Sequence, residues 1–125
     1  MKVLIIDDDA DIRTIARLSL SRVGGMDVIE AASGVEGVRK AQAETPDVIL
    51  LDMRMPAMDG LETLSALRSQ PATATTPVIF LTAKAFGEDV ERMTLLGAAG
   101  VLIKPFNPRT LSADVRNLVN RALDA

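Results

Sequence analysis

The chain has 125 residues, 48% of them apolar, with 14 basic and 17 acidic side chains and a formal net charge of -3. That length suits one domain, and the mild acidity argues against bulk attraction to nucleic acid or an anionic membrane. The chain contains no Cys, His, Trp or Tyr, which excludes disulfides, thiol nucleophiles, His or Cys metal sites and Ser-His-Asp chemistry, and argues against an aromatic platform for stacked bases.

The first apolar run, Val3-Leu4-Ile5-Ile6, stops at Asp7, Asp8 and Asp9. It is too short for a signal peptide or a membrane span, so a soluble, cytoplasmic protein is expected. A helix is predicted from about Asp9 to Val23, with Ile12, Ala16, Leu20 and Val23 on one face and Gly24-Gly25 as its stop. Asp27-Val28-Ile29-Glu30-Ala31 reads as a strand near an edge, because it carries more polar residues. Ser33 and Glu36 form a capping box for a helix running to about Glu44, before Pro46. Val48 to Leu51 is the next apolar run, and Asp59-Gly60-Leu61-Glu62 opens a helix carrying Leu61, Leu64 and Leu67. Gln70 to Pro77 has the composition of a surface loop. Val78 to Leu81 is a strand, Phe86 to Leu96 a helix ending at Gly97, and Val101 to Ile103 the last strand. The final helix takes Asn107 as cap and Pro108 in its first turn, and should bury Leu111, Val115, Leu118 and Ala122.

Strict alternation of strand and helix predicts a single α/β domain over residues 1–125 with right-handed crossovers. The runs are continuous rather than alternating, which suggests parallel strands covered on both faces. Each strong run ends in a polar group: Asp7 with Asp8, Asp52, Thr82 and Lys104. In a parallel sheet these ends share one edge, and ligands bind there at the point where strand order reverses. In the common order 2-1-3-4-5 that point lies between the strands ending in Asp7-Asp8 and Asp52.

Three carboxylates gathered there repel one another, one lysine offsets them only in part, and the site needs either raised pKa values or a cation. Oxygen donors without His or Cys select a hard ion, and Mg2+ is expected. Thr82 and Lys104 add a hydrogen-bond donor and a positive charge, which a phosphoryl group requires. The lone carboxylate, Asp52, is the nucleophile, since carboxylates can form aspartyl phosphates, and the acidic pair holds the metal. Asp9, Asp11 and Asp59 read as helix caps or first-turn residues. Met53, Met55 and Met58 read as packing around the site.

The pieces Val3 to Asp9, Leu50 to Gly60, Leu81 to Ala85 and Lys104-Pro105-Phe106 resemble the receiver domain of two-component response regulators, in order and over nearly the whole chain. The resemblance implies a flavodoxin-like doubly wound fold, five parallel strands in the order 2-1-3-4-5 with five helices. It implies that Asp52 accepts a phosphoryl group from a sensor histidine kinase or histidine phosphotransfer protein. Asp7, Asp8 and Asp52 would bind Mg2+ together with the backbone carbonyl of Arg54, Thr82 would turn toward the phosphoryl oxygen, and Lys104 would pair with it ahead of a cis Pro105. Phosphorylation would reshape the surface of the fourth helix, fifth strand and fifth helix, and so change binding to a downstream effector protein or an output domain. The family usually has Tyr or Phe three residues before the site lysine, whereas this chain has Val101. That departure admits a second reading, a receiver-fold interaction module with little switching. A turnover enzyme is not expected: the haloacid-dehalogenase pattern needs an Asp two residues after the nucleophile, where Arg54 stands. Phosphate-loop and dinucleotide-binding glycine motifs are absent from the sequence.

Overall fold

Five short segments are rich enough in β-branched and aliphatic residues to form strands: β1 (Lys2–Ile6), β2 (Asp27–Ala31), β3 (Val48–Asp52), β4 (Val78–Thr82) and β5 (Gly100–Ile103). In the computed structural model they form one parallel sheet in the order β2-β1-β3-β4-β5. The structure describes residues 1–83 and 88–124, without the side chains of Glu88 and Asp89. The helices are α1 (Ala10–Leu18), α2 (Gly34–Glu44), α3 (Gly60–Arg68), α4 (Glu88–Leu95) and α5 (Leu111–Asp124). The chain of α1 continues as a π-helical stretch over Ser19–Val23.

The apolar runs are continuous because both faces of the sheet are covered. Leu4, Ile6, Ile49, Leu51, Val78 and Phe80 point to one side and pack with Ala41, Leu64, Leu67 and Met93 from α2, α3 and α4. Val3, Ile5, Val48, Leu50, Ile79 and Leu81 point to the other and meet Ala16, Leu20, Leu111, Val115 and Val119. β2 carries the more polar sequence and lies at the edge, as its composition predicts.

The local signals act where they were read. Asp9 caps α1 by accepting from the Asp11 and Ile12 amides. Ser33 caps α2, and Asp59 forms a full capping box with Glu62 at α3. Gly97 ends the α4 segment at a φ of 75°, a conformation that favours glycine.

Three expectations change. Val23 is 60% exposed, because the π-helical stretch adds a residue to the turn and rotates the last side chain off the predicted face. Asn107 accepts from the Arg109 amide and heads a separate turn, so α5 starts at Leu111 and buries Val115 and Val119; Leu118 is half-buried and Ala122 exposed. The segment from Gln70 to Pro77 is an ordered turn. Thr73 is fully buried, with its hydroxyl donating to the Leu67 carbonyl, and Arg68 donates to the carbonyls of Thr73 and Thr76. The other arms of Arg68 reach the carbonyls of Leu96 and Gly97 beyond α4. One guanidinium thus joins two loops that the sequence leaves unrelated. The predicted start of the fourth helix, at Phe86, lies outside the described residues, as do Lys84 and Ala85.

Candidate functional site

At the C-terminal ends of the strands the polar residues converge. Asp7, one residue beyond β1, is fully buried. Its amide donates to the Ala31 carbonyl at 3.1 Å, and its Oδ1 accepts from the Asp9 amide at 2.9 Å. Asp8, the next residue, is exposed. Asp52 ends β3, next to β1 in the sheet, and is 5% exposed. One carboxylate oxygen each from Asp7, Asp8 and Asp52 lies within 4.8 Å of the others.

Lys104, just past β5, reaches back across the edge. Its Nζ lies 2.8 Å from Asp7 Oδ2 and 3.1 Å from Asp52 Oδ1. Its amide donates to the Thr82 carbonyl at 2.8 Å, which ties the end of β5 to the end of β4. Thr82 itself is buried. The Lys104–Pro105 peptide is cis. All four strand ends singled out from the sequence therefore share one rim.

The electrostatics are those of an acidic cluster short of positive charge. Burial pushes the Asp52 carboxyl up to about 6, the negative charge of Asp7 pushes the same way, and Lys104 opposes both. Burial works against the Lys104 ammonium, but its hydrogen bonds to Asp7 and Asp52 prevail and hold it above its ordinary value.

The donors fit a hard divalent cation. They are oxygens only, drawn from the fully buried Asp7, the nearly buried Asp52 and the exposed Asp8. The spacing is close to what an octahedral ion needs, since ligand oxygens about 2.1 Å from Mg2+ sit roughly 3–4 Å apart. The peptide after Asp52 packs tightly against α3. A Cβ at Gly60 would come within 2.6 Å of the Asp52 carbonyl and 2.8 Å of Met53 Cα, so only glycine allows the helix to start there. Met53 and Met55 are buried in the core, as expected. Beyond them a cavity of about 570 Å³ is lined by Arg54, Asp59, Leu61 and Arg92.

A residue that the sequence did not suggest also touches the site. Arg13, on α1, donates through Nη1 to the Asp7 carbonyl at 2.8 Å. The only signal was an arginine six residues after the acid, which a solvated helix face explains as well.

The family model for the response regulator receiver domain matches residues 3–116. The chain belongs to this family. It is 39% identical over 121 residues to the alkaline phosphatase synthesis transcriptional regulatory protein PhoP of Bacillus subtilis, covering 97% of this chain and 49% of that one. It is 38% identical to a probable transcriptional regulator of Cyanophora paradoxa, ycf27, covering 96% and 48%. The receiver thus spans about half the length of the curated relatives it matches. Among solved structures, Vibrio cholerae chemotaxis protein CheY4 superposes with a TM-score of 0.88 at 38% identity, covering 94% of this chain and 97% of that one. The response regulator domain of Thermotoga maritima CheB gives 0.83 at 26% identity, covering 100% and 97%. Receiver domains of this family bind Mg2+ in an acidic pocket and interact with histidine kinases and effectors. Among the described residues, no helix of this receiver is long and apolar enough to cross a membrane.

Proposed function

We propose that this receiver is a phosphoacceptor. Asp52 takes a phosphoryl group from the phosphohistidine of a sensor histidine kinase or phosphotransfer protein in the cytoplasm, and the modified receiver changes its contact with an effector or output domain. The observation that carries this reading is the juxtaposition of Asp7, Asp8 and Asp52 within 4.8 Å, with Lys104 bridging two of them. A carboxylate oxygen of Asp52 forms the new bond to phosphorus as the nitrogen–phosphorus bond of the donor breaks, and the departing imidazole takes up a proton.

Each neighbour has a role in that step. Asp7, Asp8 and Asp52, with the backbone carbonyl of Arg54, would hold Mg2+. The ion supplies positive charge against the transferring oxygens. Lys104 leaves its carboxylate partners for a phosphoryl oxygen, and Thr82, at the adjacent strand end, donates its hydroxyl to another. The donor histidine must come from another protein, since this chain has none. The receiver assists its own modification and is not a turnover enzyme on free substrates.

Treatment with a small phosphodonor, followed by intact mass measurement, tests the proposal. One added phosphoryl group is expected in the presence of Mg2+, none in the Asp52→Asn protein and none after chelation. An unmodified wild-type mass, under conditions that label another receiver, refutes it.

One observation favours a second reading, an interaction module with little phosphorylation-dependent switching. Val101 pairs with Phe80 in the sheet and packs against the core without a ring to reorient. Equal partner affinity with and without beryllofluoride would support it.

A further inference from the structure

We infer that Arg13 is a positioning residue for the acidic centre: its guanidinium fixes the main chain between Asp7 and Asp8 and so aims both carboxylates at the space beside Asp52. The inference rests on the metal-dependent acceptor reading above.

The strand ladders of β1 end at Ile6, paired with Ala31 on one side and Leu51 on the other. The next peptide plane, between Asp7 and Asp8, lies beyond that support. Its orientation sets the backbone angles on either side, and so the direction in which Asp8 leaves the chain. Arg13 Nη1 donates to the carbonyl of that peptide at 2.8 Å. A charge-assisted bond of this kind is stronger than one between neutral groups.

The arginine is itself held. Its Nε lies 3.3 Å from Glu30 Oε1, and the other oxygen of Glu30 lies 3.1 Å from Arg17 Nε. The Glu30 carbonyl accepts from Lys40 Nζ at 2.5 Å, and Lys40 pairs in turn with Glu36. A planar fork serves the Asp7 carbonyl and Glu30 together in one fixed geometry, which an ammonium on a flexible stem does not impose. The chain of contacts runs from the start of α2, through the edge strand β2 and α1, to the peptide that carries the two acids. Arg17, one turn further along α1, pairs with Glu30 through the other oxygen and so provides a control of equal charge.

The test measures Mg2+ affinity by titration calorimetry on the full chain, in about 150 mM KCl, where charge effects beyond roughly 8 Å are screened. Outer-shell partners of metal ligands typically change affinity by about 10–100-fold. Arg13→Met should weaken Mg2+ binding about tenfold, Arg13→Lys by about threefold or more, and Arg17→Met by no more than about twofold. Without Mg2+, exchange of the Asp9 amide, which donates to Asp7 Oδ1, should quicken in Arg13→Met and not in Arg17→Met. If Arg13 acted through charge alone, its removal would tighten cation binding and the two Met variants would behave alike; that result overturns the inference. So does wild-type affinity in Arg13→Met, or in Arg13→Lys should the Met variant not fold. A wild-type protein that binds no Mg2+ overturns the acceptor reading and this inference with it.

Discussion

Replacing Asp52 by Asn should stabilise the metal-free protein, and the gain should depend on pH in a defined direction. The Asp52 carboxyl is raised from 3.8 to about 6 by burial and by the charge of Asp7, against the opposing pull of Lys104. A folded-state value above the unfolded one means that the folded protein prefers the protonated form. The carboxyl therefore costs nothing below about pH 4, and the penalty grows until the folded group has ionised above about pH 6. The displacement corresponds to about 3 kcal/mol at neutral pH, and Asn removes the charge while keeping the shape. Urea unfolding with a chelator present, followed by far-ultraviolet circular dichroism because the chain has neither Trp nor Tyr, should find the variant about 2–3 kcal/mol more stable near pH 8 and nearly equal near pH 4. Saturating Mg2+ should close the gap, since an ion bound by the native wild type stabilises it by about 2.7 kcal/mol at a hundred times its dissociation constant. A variant less stable than wild type near pH 8 without metal, or a difference that does not vary with pH, would refute the electrostatic account.

Other substitutions probe the supports of the rim. Lys104→Met leaves Asp7 and Asp52 facing each other without their shared cation, so urea unfolding near pH 8 should show a loss of about 3 kcal/mol. Because Lys104 is held above its ordinary 10.5, that contribution should persist through the neutral range. Gly60→Ala drives a methyl group into the Asp52 carbonyl and Met53; it should cost about 1–3 kcal/mol and slow phosphodonor labelling, by mass measurement, compared with Ala66→Gly as a control in the same helix. Arg68→Met strands carbonyls at Thr73, Thr76, Leu96 and Gly97, for a loss of about 2–3 kcal/mol. Hydrogen exchange should quicken in both connected loops together, and a change confined to one loop would show that the guanidinium does not join them.

Much of this receiver could be read from residues whose effect is local. Ser33, Asp59 and Asp9 satisfy amides within three residues of themselves, so their caps follow from short spacings. The continuous apolar runs carried the two-sided sheet, because a strand with no polar face can be stable only when covered on both sides. Parallel direction then sent every strand end to one edge, which is why Asp7, Asp52, Thr82 and Lys104 could be grouped although up to 97 residues separate them. The family motifs added the order of the strands, since many orders share the same alternation of elements.

Tertiary structure alone decided the contacts made by long side chains with main-chain groups. Nothing in the spacing of Arg68 points to carbonyls 28 and 29 residues away, and nothing near Arg13 marks the Asp7 peptide as its target. A carbonyl is present at every residue, so its identity as a partner is invisible until the chain is packed. The same holds for Val23, whose face changed with one extra residue in a π-helical turn, and for the start of α5, where a capped turn preceded the helix. The sequence determined which chemical groups arrive at the rim; folding decided how their charges are shared and which main-chain carbonyls Arg13 and Arg68 reach.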